Sequence, residues 1–240
     1  MPMDEYHDLR VAFSGLTDAQ WLNLHRYYEL LVEWNAHMNL TAITEPVEVY
    51  MKHFYDSLLI LQAEDTRQVF EAAQHVVDVG TGAGFPGLVL AMVVQDKQFV
   101  LVDALTKRLK FLEAVCTELG LDHVELVHGR AEDIGQRSGF RESFDLVVSR
   151  AVARLSVLAE LTLPLVRVGG WVISYKGPSA SEELSEAQTA LARLGGKEAF
   201  ARSLELPGNR GMRVFVGLSK VSRTPKQYPR KAGTPQKNPL

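Results

Sequence analysis

The chain has a single cysteine, Cys116, among 240 residues. An internal disulfide is therefore excluded, and a reducing compartment is the expectation. Cys116 falls inside the helical stretch 107–119, where packing accounts for it. No apolar run approaches the ~18 residues of a membrane span, and no secretory leader pattern opens the sequence. The expected protein is soluble, cytoplasmic and free of membrane contact. Seven histidines are scattered without metal-ligand spacing, so no metal is expected. A strong charge of one sign is also missing: the net charge of −3 does not mark a nucleic-acid binder.

What is present is a large apolar fraction, 46%, enough for one large domain or a domain with an appendage. The charge is unevenly spread. From Lys220 to Leu240 there are six Lys/Arg and no acid, whereas the preceding 219 residues carry 20 basic against 29 acidic side chains. A basic tail on an acidic body suggests a polyanion partner near the C-terminus. The alternative is a solvated, disordered tail, which Pro225, Pro229, Pro235 and Pro239 would favour.

The most informative segment is DVGTGAGFPG, from Asp78 to Gly87. It follows the apolar run 75–79 and leads into LVLAMVV, the order of strand, glycine-rich turn and helix. Gly80, Gly82 and Gly84 permit positive φ and close approach of a ligand to the backbone. The acidic Asp103 ends the next apolar run, FVLVD, 23 positions after Gly80. That is about the ~20-residue interval at which a carboxylate meets a nucleoside ribose. The dinucleotide pattern G-x-G-x-x-G fails when counted from Gly80, because Phe85 intervenes, but fits from Gly82 through Gly84 to Gly87. A tight turn with no ligand is the bland alternative.

Residues 1–72 form a helical extension on this reading. Thr17-Asp18-Ala19-Gln20 has the capping-box pattern, and Trp21, Leu24, Tyr28 and Leu31 recur at helical spacing with Tyr27 and Trp34 beside them. Pro46 suits a first helical turn before a second helix to Leu61. Residues 73–220 alternate: strands at 75–79, 98–103, 123–128, 144–149 and 170–175, with helices at 86–95, 106–119, 155–166 and 181–194. This is the βαβ rhythm of a parallel sheet. Residues 199–206 and 212–220, joined by PGNRG, form a hairpin that adds one antiparallel strand. Residues 221–240 are the basic, proline-rich tail. The fold class is α/β, a Rossmann-like, seven-stranded, mostly parallel sheet with a C-terminal antiparallel hairpin.

This chain resembles the S-adenosylmethionine-dependent methyltransferases and, more narrowly, the RsmG (GidB) family of bacterial 16S rRNA guanine-N7 methyltransferases. The resemblance rests on WNAHMNLTAI (34–43), HFYDSL (53–58), DVGTGAGFPG (78–87), LVDALTKRLKFL (101–112), RAED (130–133), FDLVVSRAVARL (144–155) and YPRKAGTPQKNPL (228–240). It implies that Gly80, Gly82 and Phe85 line the methionine and adenosine portions of the cofactor. It also implies that Asp103 accepts from the ribose hydroxyls and that Ala131 and Glu132 lie at the adenine edge. Arg150 is the candidate for positioning, either on the guanine acceptor edge or on the cofactor carboxylate. No certain catalytic acid or base is expected, because guanine nitrogen-7 carries a free lone pair. His53, Asp56 and Ser57 are expected to be structural or RNA-facing.

Lys176, Lys220, Arg223, Lys226, Arg230 and Lys231 would contact phosphates, with Tyr228 available to stack on a base. Tail and cofactor site are expected to be separate, since every cofactor motif precedes residue 151. The implied partner is 16S rRNA, a small ribosomal subunit or an assembly intermediate, met by a monomer at an unpaired guanine. Two rivals stay open from the residues alone: an NAD(P)-dependent oxidoreductase, and an RNA-binding assembly factor that keeps a methyltransferase fold.

Overall fold

Five short, nearly continuous apolar runs become neighbouring parallel strands, as expected of strands covered on both faces. The computed structural model describes residues 7–240, so the first six residues of the helical extension lie outside the described part. Helices α1 (His7–Ala12) and α2 (Asp18–Met38) open the chain, and a composite helical stretch follows. That stretch begins with α3 (Pro46–Val49), passes through a π-helical segment (Tyr50–Tyr55) and α4 (Asp56–Leu58), and ends in a 3₁₀ turn (Leu59–Leu61). Helix α5 (Glu64–Ala72) leads into the sheet.

The alternating part runs β1 (His75–Val79), α6 (Gly87–Val93), β2 (Gln98–Asp103), α7 (Thr106–Leu119), β3 (Val124–His128), α8 (Ala131–Ile134), β4 (Phe144–Arg150), α9 (Leu155–Thr162) and β5 (Val166–Lys176). Helices α10 (Ala180–Glu186) and α11 (Gln188–Leu194) precede β6 (Gly196–Glu205) and β7 (Met212–Lys220). The strand order is β3-β2-β1-β4-β5-β7-β6, and β7 is antiparallel to both neighbours. The α/β fold class, with its seven strands and antiparallel hairpin, is therefore the observed one. Chain order reverses at β1, which pairs with β2 on one side and β4 on the other. Ligands in such sheets sit beyond the carboxyl ends of the strands at that switch point.

Alternation along β1 sends Val76 and Val77 to opposite faces, and each joins a different apolar core. The Val76 face is covered by the N-terminal helices together with α6 and α7, so the helical extension shares its core with the sheet. The Val77 face is covered by α9, α10 and α11 and receives Tyr228 from the tail. Thr17 caps α2 with the expected capping box to Gln20. The buried stripe of α2 runs through Tyr27 rather than Tyr28, because the Tyr27 hydroxyl finds a buried acceptor in the Ala83 carbonyl. The single helix expected over 181–194 is broken at the fully buried Ala187, which lets its two halves wrap around α9. No helix among the described residues is long and apolar enough to cross a membrane.

The tail departs most from expectation: it folds back and is held by buried polar contacts. Lys220, 1% exposed, donates to the Leu163 carbonyl at 2.6 Å, and burial lowers its pKa to about 8. Arg141 reaches the carbonyls of Tyr228 at 2.7 Å and Thr224 at 2.8 Å. Arg230 pairs with the buried Glu160, which accepts from its guanidinium at 2.6 Å and from its backbone N–H at 2.8 Å. Three residues expected at an RNA surface are thereby corrected. Lys220, Tyr228 and Lys176 are buried, since each has a partner inside the fold that a count of charges along the chain does not reveal. Arg230 is committed to Glu160, while Arg223, Lys226 and Lys231 stay exposed.

Removing one partner of a buried ion pair leaves the other charge uncompensated. Glu160→Ala is therefore expected to destabilise the fold by about 3 kcal/mol, read by urea denaturation, and to speed tryptic cleavage at Lys231. Equal denaturation midpoints and cleavage rates would show that Glu160 does not anchor the tail.

Candidate active site

The glycine turn after β1 is tied down at both ends. Gly80 and Thr81 donate their N–H groups to the Val102 carbonyl at the end of β2, at 2.9 and 3.1 Å. Gly87 donates to the buried Asp78 carboxylate at 2.8 Å, and a Cβ at Gly87 would stand 2.6 Å from Asp78 Cβ. Gly84 has φ of 101°, and a Cβ there would lie 2.5 Å from the Tyr27 hydroxyl. These two glycines therefore serve packing against β1 and α2. Gly82 differs: its φ of 63° needs glycine, yet a Cβ would meet nothing nearer than the Gly80 carbonyl at 4.0 Å. Its N–H donates to Asp103 Oδ2 at 3.0 Å.

Asp103 is 3% exposed and ends β2 beside this turn. Besides Gly82, it accepts from the Leu105 N–H at 2.8 Å and from Arg108 at 3.1 Å. These contacts aim the carboxylate and leave acceptor capacity on Oδ1, since Oδ2 already accepts from both Gly82 and Arg108. Gly80, Asp103, Ala131 and Glu132 line one cavity of about 530 Å³, closed by the apolar Leu105, Val157 and Leu161. Buried under the turn, Asp78 Oδ1 and Thr81 Oγ1 have no hydrogen-bond partner among the described residues. A cavity with apolar walls and a carboxylate aimed by backbone donors suits an adenosyl group.

A second cavity of about 670 Å³ lies alongside and shares Ala151, Val152 and Ala153 with the first. This dividing segment follows β4 directly and turns through Ala151 at φ of 57°. Lys176 holds it by donating to the Ala153 carbonyl at 2.6 Å while pairing with Glu183 at 2.7 Å. Glu183 also accepts from the Leu155 N–H at 2.9 Å. The role expected of Lys176 at phosphate is thus replaced by one in fixing the partition.

The second cavity is lined by six basic side chains, Lys52, Arg150, Arg154, Lys176, Arg210 and Arg213, against the acids Asp56 and Glu183. Asp56 is 0% exposed and is held from two sides. Arg213 on β7 donates to both its oxygens at 2.6 and 2.7 Å, and Arg150 on β4 donates to Oδ2 at 2.6 Å. His53 stacks on Phe85 with ring centroids 4.4 Å apart, and its Nε2 lies 2.9 Å from Thr41 Oγ1. The Arg150 guanidinium stands over the same Phe85 ring, 5.2 Å from its centroid. Burial, and then the Arg150 charge, lower the His53 pKa to about 4, so the imidazole is neutral at physiological pH.

Of the residues expected at the cofactor, then, four share the first cavity and Arg150 lines the second. Gly82 and Phe85 line neither: Gly82 acts through Asp103, and the Phe85 ring packs between His53 and Tyr27. Sequence reasoning missed Arg213 and Arg210, and it placed Tyr27 beside the apolar stripe without its contact to the glycine turn. Arg213 sits near the start of β7, where a single basic residue in a strand carries no signal of a partner 157 positions away.

The order of strands, the glycine turn and the acidic end of β2 define the methyltransferase type of Rossmann-like fold. Solved structures agree at the level of fold. An O-methyltransferase from Bacillus cereus in complex with SAH is 19% identical with a TM-score of 0.56, the match covering 81% of this chain and 91% of that one. The O-methyltransferase TomG from Streptomyces achromogenes, in complex with SAM, is 21% identical with a TM-score of 0.55, covering 92% and 100%. The family model "rRNA small subunit methyltransferase G" matches residues 20–211. A protein of that name from Leuconostoc mesenteroides is 50% identical over 97% of this chain and 96% of its own length. Another from Lactobacillus delbrueckii is 49% identical over 94% and 93%. The chain belongs to the small-subunit rRNA methyltransferase G (GidB) family.

Since the folded-state pKa of His53 is below its unfolded value of about 6.5, stability from this group is complete above pH ~6.5 and is lost as pH falls toward 4. NMR titration of the His53 ring is expected to give a pKa near 4, moving upward in Arg150→Ala. A value near 6.5 in the intact protein would contradict the buried stacking on Phe85.

Proposed function

We propose that this protein transfers the methyl group of S-adenosylmethionine to nitrogen-7 of an unpaired guanine in 16S rRNA, presented as free RNA, a small subunit or an assembly intermediate in the cytoplasm. The observation that carries this reading is the pair of cavities sharing the 151–153 wall, one suited to an adenosyl group and the other lined mainly by basic side chains.

When bound, S-adenosylmethionine supplies a methyl carbon on a positively charged sulfur, which takes up the bonding electrons as S-adenosylhomocysteine leaves. Asp103 accepts from the ribose hydroxyls, and the Ala131–Glu132 segment lies at the adenine edge. Arg150, oriented by Asp56 at 2.6 Å, offers N–H groups to the acceptor edge of a base in the second cavity. Guanine nitrogen-7 has its lone pair available, so no group has to remove a proton from it. The neutral His53 fits this, because its part is to hold the Phe85 and Arg150 side chains in one stack. The chain's contribution is alignment in a confined, partly desolvated space. Nitrogen-7 lies in the deep groove of A-form RNA, beyond side-chain reach, which requires an unpaired target. Arg210, paired with Glu48, and Arg213, paired with Asp56, complete the basic lining of the cavity, and the exposed Arg223, Lys226 and Lys231 are the side chains free to meet flanking phosphates.

Two measurements test this. Small subunits and 16S rRNA lacking the modification, incubated with the protein and S-adenosylmethionine, should yield 7-methylguanosine by mass spectrometry of nuclease digests. A methylated nucleoside other than 7-methylguanosine, or none from either substrate, would refute it. Asp103→Asn removes a charged acceptor, and each hydrogen bond to a charged group is worth ~1.5–3 kcal/mol. Calorimetry should therefore show S-adenosylmethionine binding weakened at least ~10-fold; unchanged affinity would remove Asp103 from the cofactor site.

A further inference from the structure

The first cavity has a wall that no cofactor motif of the sequence supplies. After Gly233, at φ of 81°, the chain forms the short helix α12 (Thr234–Lys237). Gly233, Pro235, Gln236 and Lys237 line the cavity on the side of Ala131 and Glu132. The match to the family model ends at residue 211, well before this segment.

The wall is placed by specific bonds. Glu132 Oε1 accepts from the Gly233 N–H at 2.8 Å, joining the tail to the start of α8. Arg230, already paired with Glu160, also donates to the Asn238 carbonyl at 2.8 Å, bracketing α12 from both ends. Gln136 donates to the Pro229 carbonyl at 2.9 Å, and Tyr228 is buried in the core beneath. Pro235 is buried, while Gln236 and Lys237 remain exposed at the cavity rim. An apolar proline joins Val157 and Leu161 around the space, and a carboxamide with both donor and acceptor stands at its edge. That combination suits a heteroaromatic base, which needs apolar faces and a polar edge.

We propose that residues 233–237 form the outer wall of the adenosine end of the cofactor site, with Glu132 acting as a positioning residue that latches this wall through Gly233. This rests on the S-adenosylmethionine reading above. It also reverses the expectation that the tail and the cofactor site are separate: part of the basic tail belongs to the cofactor site. Closure by a segment held at Glu132 and Arg230 slows cofactor departure and keeps water from the adenine.

The test uses S-adenosylhomocysteine as probe and calorimetry as readout, with thermal denaturation to verify folding. The chain ending at residue 232 keeps Tyr228 and the Arg230–Glu160 pair, and should bind at least ~10-fold more weakly than the full chain. In the full chain, Pro235→Gly combined with Gln236→Ala should weaken binding several-fold, and Glu132→Ala likewise. Gln227→Ala, on the exposed outer side of the tail, should leave affinity unchanged. Saturating S-adenosylhomocysteine should also slow tryptic cleavage at Lys237. If the full chain binds the probe and the folded variants bind it equally well, the wall assignment is wrong. If truncation prevents folding, the point variants decide the matter. Failure of the full chain itself to bind would overturn the cofactor reading instead.

Discussion

A single buried carboxylate, Asp56, organises the carboxyl edge of the sheet. It comes from the helical extension and is held by Arg150 at the end of β4 and Arg213 at the start of β7. An isolated carboxylate at 0% exposure would be very costly, whereas one receiving two guanidinium groups is compensated. The stabilisation gained from such a buried network is small, because desolvation offsets most of the Coulomb attraction. Its consequence is geometric. Three segments distant in sequence meet at one point, and the helical extension becomes one side of a basic cavity.

The partition between the two cavities depends on that arrangement. Residues 151–153 leave β4 immediately after Arg150, and Lys176 with Glu183 secures their far end. Val152 stands over Gly80, where a Cβ would lie 2.6 Å from its side chain, so the partition is seated directly on the glycine turn. On the opposite side of β1, Tyr27 braces the same turn through the Ala83 carbonyl. The turn is fixed from both faces before any ligand arrives, which lowers the ordering cost of binding.

The features legible from sequence are those set by neighbours along the chain. Strands β1 and β2, the glycine turn and Asp103 follow from local apolar runs and backbone requirements, and the antiparallel β7 follows from a connection too short for a helix. The tail was illegible for the converse reason. Its prolines and basic residues suit disorder or phosphate contact equally well, and only the acceptors waiting on other elements decide the outcome. Glu160 for Arg230, the Leu163 carbonyl for Lys220 and the apolar core for Tyr228 are such acceptors. Arg213 was hidden in the same way, since nothing in β7 announces a carboxylate on α4. The helix break at Ala187 has no breaker residue and arises from wrapping around α9.

On the proposed function, the two cavities are halves of one reaction site joined across the end of β4. A crystal structure with S-adenosylhomocysteine bound tests it most directly. The expected complex has the ribose on Asp103, the adenine between Ala131 and Pro235, and the sulfur beside Gly80, facing the second cavity past Arg150 and Ala151. A homocysteine arm directed away from that cavity, or a ribose that does not touch Asp103, would contradict it.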